Sequence, residues 1–190
     1  MAKNIFYGLT NVYYAVVTET MGTGGEYTET YATPKRLIGA RSISLTAQTE
    51  NVNFPADNNP DYWRASLNNG YEGTLTLATL SDDFRKDVYG EQTDTNGLIG
   101  ESLTDQPKPF ALLFQFEDDE AATRHVMYRC VAGRHDISSE TRDTTIAPGE
   151  IAIPITAGGR LSDHKVKWSC PASQTTQYEA WNTAVYVPTL

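Results

Sequence analysis

Period-two alternation is the feature that most narrows what this chain can fold into. Ile43, Leu45 and Ala47 alternate with Ser42, Ser44, Thr46 and Gln48, and Leu75 and Leu77 alternate with Thr74 and Thr76. Phe110, Leu112, Phe114 and Phe116 repeat the pattern, as do Val126, Tyr128, Cys130 and Ala132, and then Ile151, Ile153 and Ile155. A helix places every third or fourth residue on one face, whereas a strand places every second one there, so these segments are half-buried strands. Sheets with one buried face are typically antiparallel and built from hairpins.

Other segments extend the count. Residues 11–18 are apolar, aromatic and β-branched, and the Gly-rich stretch Met21-Gly22-Thr23-Gly24-Gly25-Glu26 separates them from a possible hairpin partner at 27–31. Residues 165–170 place Val166 and Trp168 between charges. The run from Asn68 to Gly90 reads as an Asn-Gly turn, a strand and a short helix. Ser81 caps that helix, Asp82 and Asp83 suit its positive end, Phe84 and Val88 share the face that docks on the sheet, and Gly90 stops it. A second short helix is expected over 174–184, before an extended tail at 185–190.

Seven to nine strands with one or two helices predict a mainly β fold. The expected architecture is an antiparallel β-sandwich or partly closed barrel with a flanking short α-helix. A length of 190 residues fits one domain, 1–190. Residues 49–71 read as a long loop, because Asn53-Phe54-Pro55-Ala56-Asp57-Asn58-Asn59-Pro60-Asp61-Tyr62-Trp63 mixes turn formers with large aromatics. Loops of that length usually have a job. Phe54, Tyr62 and Trp63 either pack on their own body or bury against another subunit, where Tyr and Trp are favoured anchors. Residues 94–108 are expected to be a further excursion, and Glu117-Asp118-Asp119-Glu120 a solvated hairpin tip.

Chemistry is hard to find. Twenty-four acidic against fifteen basic residues give a net charge of −9, which argues against a nucleic-acid binder. His125, His135 and His164 lack zinc-site spacing, and Cys130 and Cys170 stand apart as expected buried free thiols. Gly22-Thr23-Gly24-Gly25 lacks the Lys-Ser or Lys-Thr of a phosphate loop, and Asp57-Asn58-Asn59-Pro60-Asp61 lacks the closing Glu of a calcium loop. No GxSxG elbow occurs. No catalytic residue, cofactor or metal is therefore expected. No apolar run is long enough for a signal peptide or membrane helix, so a cytosolic product with no membrane partner is expected. A competing reading is a carbohydrate-binding module stacking sugars on Tyr62, Trp63 and Trp168.

Several sequence words resemble a known family. They are Tyr7-Gly8-Leu9-Thr10-Asn11-Val12-Tyr13-Tyr14-Ala15, Asn69-Gly70-Tyr71-Glu72-Gly73-Thr74-Leu75, Phe84-Arg85-Lys86-Asp87-Val88-Tyr89-Gly90-Glu91 and Pro107-Lys108-Pro109-Phe110-Ala111-Leu112-Leu113-Phe114. Arg124-His125-Val126-Met127-Tyr128, Tyr178-Glu179-Ala180-Trp181 and Val185-Tyr186-Val187-Pro188 follow in order. Together they resemble the phi13-like major tail proteins of long-tailed bacteriophages. The resemblance implies a structural virion protein whose six-membered rings stack into a hollow tube for DNA ejection. Its partners would be copies of itself and other tail proteins such as tape measure and terminator proteins. DNA would pass through the lumen without specific binding. The subunit would be assembled in the host cytoplasm and end in the virion tail. The N-terminal segment, the 49–71 loop and the C-terminal tail would be the assembly contacts. A tube or terminator protein of a phage-derived particle is the alternative within this class.

Overall fold

The computed structural model describes residues 7–117, 119–139, 141 and 149–189. The N-terminal six residues and nearly all of the polar stretch 141–145 lie outside these. The chain forms β1 (Leu9–Met21), β2 (Tyr27–Tyr31), β3 (Lys35–Arg36), β4 (Ala40–Ala56), β5 (Asn59–Leu77) and α1 (Asp82–Asp87). The small strands β6 (Gln92–Thr93) and β7 (Ile99–Gly100) follow, then β8 (Phe110–Phe116), β9 (Arg124–Ala132), β10 (Ile151–Gly158), β11 (Lys167–Cys170) and α2 (Thr175–Ala180).

Nine strands join in one antiparallel sheet of order β2-β1-β8-β9-β10-β5-β4, with β3 added to β1 and β11 to β9. Strands β6 and β7 form a separate ribbon within the 94–108 region and its approach. The long strands serve two layers. Tyr13 and Tyr14 pair with β3 while Val17–Met21 pair with β2, so β1 passes from one layer to the other. The sheet curls until the start of β4 returns toward β1: the β3 pairing with β1 is extended by Leu37 N–H, which donates to Val12 O at 2.8 Å just before β4 begins. It does not close, and the result is a β-sandwich with flanking helices.

Two apolar cores lie on opposite sides of β1, β8 and β9. The larger holds Tyr14, Leu75, Leu77, Phe84, Val88, Phe110, Leu112, Met127, Ile153 and Ile155. The smaller holds Ala15, Ala111, Leu113, Val126, Tyr128, Cys170 and Trp181, covered by α2 and the tail. Strand β8 is therefore buried on both faces, which its unbroken run Phe110-Ala111-Leu112-Leu113-Phe114 reflects better than a one-sided alternation does.

Local chemistry fixes α1. Ser81 Oγ accepts from Phe84 N–H at 3.3 Å, Asp82 and Asp83 occupy the first turn, and Val88 caps the end by donating to Phe84 O at 2.9 Å. Phe84 and Val88 are both fully buried. Phe84 makes edge-to-face contacts with Tyr14, Tyr89 and Phe110 at centroid distances of 5.0, 5.5 and 5.7 Å. The second helix is shorter than 174–184, because Gln174 makes no side-chain cap bond and Thr183 Oγ1 takes the carbonyl of Ala180.

Four expectations are corrected. Residues 49–71 are not a loop: they are the distal halves of β4 and β5, paired from Thr49↔Asn68 to Ala56↔Asn59. Asn69-Gly70 is not a turn but a bulge inside β5, where these two residues oppose Gln48 of β4 alone. Gly70 has φ +88°, and a Cβ there would lie 2.2 Å from Ala157 O, so only glycine fits. In β9 a second bulge shifts the phase, sending Val126 and Tyr128 to the small core but Cys130 and Ala132 to the large one. The acidic tip is not wholly solvated, since Asp119 is buried and accepts from Ala121 N–H at 3.1 Å and Thr123 N–H at 2.8 Å.

Candidate assembly surface

Beyond the bulge, β4 and β5 leave the body as a two-stranded arm. Eight β4 residues from Thr49 to Ala56 carry it roughly 25 Å outward at about 3.3 Å per residue. Asp57 and Asn58 turn the tip with φ of 50° and 58°, the left-handed pair that a two-residue hairpin needs. Pro55 and Pro60 are tolerated because the arm's strands have free outer edges. Cross-strand register makes the arm two-faced. Glu50↔Leu67, Val52↔Ala65 and Phe54↔Trp63 share one face, and Thr49↔Asn68, Asn51↔Ser66 and Asn53↔Arg64 the other. Phe54 is 60% exposed, Trp63 54% and Leu67 49%. A lone two-stranded ribbon is marginal in water, and an apolar stripe on it calls for a cover.

Nearer the body β4 and β5, now joined by β10, present a different face. Its rows are Ser42-Thr76-Ala152, Ser44-Thr74-Pro154 and Thr46-Glu72-Thr156, running across β4, β5 and β10. The opposite side of these strands carries Ile43, Leu45, Leu75, Leu77, Ile153 and Ile155 into the core. The nine outward residues include one carboxylate and no Lys or Arg. At the margin, Arg41 is ion-paired with Glu150. The polar residues Ser42, Ser44 and Thr46 and the polar residues Thr74 and Thr76 thus belong to one surface.

A third feature is a cleft of about 810 Å³ where the curled sheet stays open, lined by Ile43, Leu45, Tyr71, Phe116, Lys167 and Trp168 among others. His125 also lines it, stacked on Phe114 at 5.3 Å. Burial holds the His125 imidazole below its ordinary pKa, against the raising effect of Asp119.

The remaining charged groups staple the body. Arg160 Nε donates to Glu29 Oε2 at 2.8 Å, and Leu161 N–H to Glu29 Oε1 at 2.6 Å. Burial would raise the Glu29 carboxyl, but its bonds to Arg160, Ser162 and Leu161 outweigh this and hold it below the usual range. Glu91 takes both Arg85 at 2.7 Å and Arg134 at 3.0 Å, tying the segment after α1 to the end of β9. Cys130 and Cys170 are free and buried, and burial pushes the Cys130 thiol up to about 12. Among the described residues no cluster of His, Cys, Asp or Glu could hold a metal ion, and no helix is long and apolar enough to cross a membrane.

The structure separates residues that the sequence grouped. Trp63 lies on the arm's apolar face with Phe54, while Tyr62 sits at the neighbouring position and points to the other side of the strand. Trp168 lies on the body, in the cleft wall. The three rings of the supposed sugar platform are thus not coplanar neighbours. The C-terminal tail packs largely on its own sheet, with Tyr186 stacked on buried Trp181 at 5.6 Å. The alternation Val52, Phe54 and then Trp63, Ala65, Leu67 around Asp57-Asn58 was the signal for the arm. Its prolines and asparagines masked it.

A mainly β body, open strand edges at β2 and β4 and an unsupported amphipathic arm are the marks of a self-assembling structural subunit. The chain belongs to the phage tail tube protein family, whose model matches residues 1–184. It is a structural major tail tube subunit that self-assembles with other phage tail proteins in the virion tail. No curated protein matches it.

Proposed function

We propose that six copies close into a ring and that rings stack into the hollow conduit through which DNA is ejected. The free edge of the β10-β5-β4 layer is continued by a neighbour, turning an aggregation-prone edge into a ring contact. The arm and the N-terminal segment link rings, and tape measure and terminator proteins meet the tube at its inside and its end. Assembly takes place in the host cytoplasm, and affiliation with the phi13-like group follows from the shared sequence words. No residue has a catalytic role in this reading.

The observation that carries it is the cation-free face of Ser42, Ser44, Thr46, Glu72, Thr74, Thr76, Ala152, Pro154 and Thr156. A channel wall for DNA must offer phosphates no foothold, and phosphate affinity comes mainly from Lys and Arg. This face lines the lumen. Six copies of a chain of charge −9 give six times −9, or −54, per ring, which further opposes DNA adhesion.

Solvent-access labelling tests the assignment. Ser44→Cys should react with a small maleimide in monomer and tube alike, but in long tubes should be protected from a polymer-linked maleimide too wide for the bore. Equal reaction of Ser44→Cys with the bulky reagent in both states would place this face outside.

A further inference from the structure

We infer that the apolar face of each subunit's arm seats in the open cleft of another copy, with Phe54 and Trp63 entering against Ile43, Leu45, Phe116 and Trp168. The inference rests on the tube reading and names the receptor for the arm.

The described chain leaves two apolar features uncovered, and they fit one another. One is a protruding ridge, Val52, Phe54, Trp63 and Leu67, and the other is the concave mouth of the larger core. The arm cannot cover its own cleft as it stands. It departs beside the cleft, near Leu45 and Tyr71, and its aromatic rings face solvent far along the ribbon. A second copy supplies the same ridge. Each subunit then gives one arm and receives one, a head-to-tail contact that propagates through an assembly.

Charge agrees with shape. Residues 49–68 hold Glu50, Asp57 and Asp61 against Arg64 alone, three minus one, for a net −2. Lys167 stands in the cleft wall over the Tyr71 ring at 4.8 Å, and among the described residues no carboxylate pairs with it. An acidic arm entering a lysine-marked apolar cleft satisfies both sides. Phe54 and Trp63, 60% and 54% exposed, bring roughly 170–290 Å² of coverable ring surface, at 150–250 Å² per whole aromatic. With the adjoining Val52 and Leu67 this supplies the apolar centre of a contact whose remaining area, toward the ~800 Å² per partner of a stable one, comes from the ring edge joined at β4.

Disulfide trapping tests the seating in the full chain. Ala65→Cys combined with Ser169→Cys places one thiol on the arm's apolar face, beside the two aromatic anchors and leaving both intact, and one in the cleft wall, while Cys130 and Cys170 are buried. Tubes of the double variant, oxidised and run without reductant, should give a ladder of covalent multimers that each single variant lacks. Tubes without a ladder, a covalent monomer from an arm folded onto its own cleft, or a ladder from Phe6→Cys with Ser169→Cys in its place would each overturn the inference and leave the tube intact. A chain that stays monomeric throughout would instead overturn the tube reading beneath it. In parallel, Lys167→Glu should raise the protein concentration needed for tubes several-fold, an effect that shrinks at high salt. No change would remove the charge argument.

Discussion

Replacing Phe84 by alanine should cost a large part of the margin that keeps the domain folded. The ring is fully buried and meets Tyr14, Tyr89 and Phe110 edge-to-face at 5.0, 5.5 and 5.7 Å. Truncating a buried Phe typically costs about 3–5 kcal/mol. Three aromatic neighbours, two of them anchored on strands β1 and β8, resist collapse into the void, so the upper half of that range is expected. Domains of this kind hold only about 5–15 kcal/mol in total. At a urea slope of about 2 kcal/mol per molar, a loss of 4 kcal/mol lowers the midpoint by about 2 M. The assay is urea unfolding of the unassembled chain followed by tryptophan fluorescence, with tube formation scored on the same preparation. Phe54→Ala is the control: at 60% exposure it should leave the monomer within about 0.5 kcal/mol of wild type. A Phe84→Ala chain whose midpoint moves by less than about 0.5 M, or that assembles as wild type does, would refute the docking of α1.

Three further outcomes follow from particular contacts. Gly70→Ala should destabilise by at least about 1–2 kcal/mol from its left-handed backbone alone, and by more because its Cβ would lie 2.2 Å from Ala157 O; calorimetry of the monomer reads the loss. Glu29→Gln leaves Arg160, whose side chain is 7% exposed, without its main partner, and should cost about 3–5 kcal/mol. Burial depresses the His125 pKa in the folded state, so the unfolded chain takes up this proton first as pH falls. Stability should therefore be flat above the unfolded value of about 6.5 and decline below it, and His125→Gln should flatten the decline between pH 7 and 5.5. A wild-type urea midpoint that does not move over that interval would refute the assignment.

Legibility in the sequence followed how local the determining physics was. Helix α1 was readable because its cap, charges and docking pair sit within eight residues, from Ser81 to Val88. Strands β8 and β10 were readable because they alternate or run apolar without interruption. The bulges were not, since Asn69-Gly70 carries the same positive-φ signature in a bulge as in a turn, and only the approach of Ala157 from β10 distinguishes them. The arm was hidden for a related reason. Prolines and asparagines mark loops when a strand is internal, but they are compatible with a ribbon whose edges are both free. Sheet curl, and with it the cleft between β4 and β11, depends on contacts more than a hundred residues apart and left no local mark.

Electron cryomicroscopy of the assembled protein decides whether this subunit builds a DNA conduit. The map should show a hollow tube of stacked rings with six-fold symmetry, the face bearing Ser44, Thr74 and Pro154 toward the bore. A different closed symmetry would correct the copy number. A solid filament, or a bore lined by the α1 side of the subunit, would overturn the conduit reading.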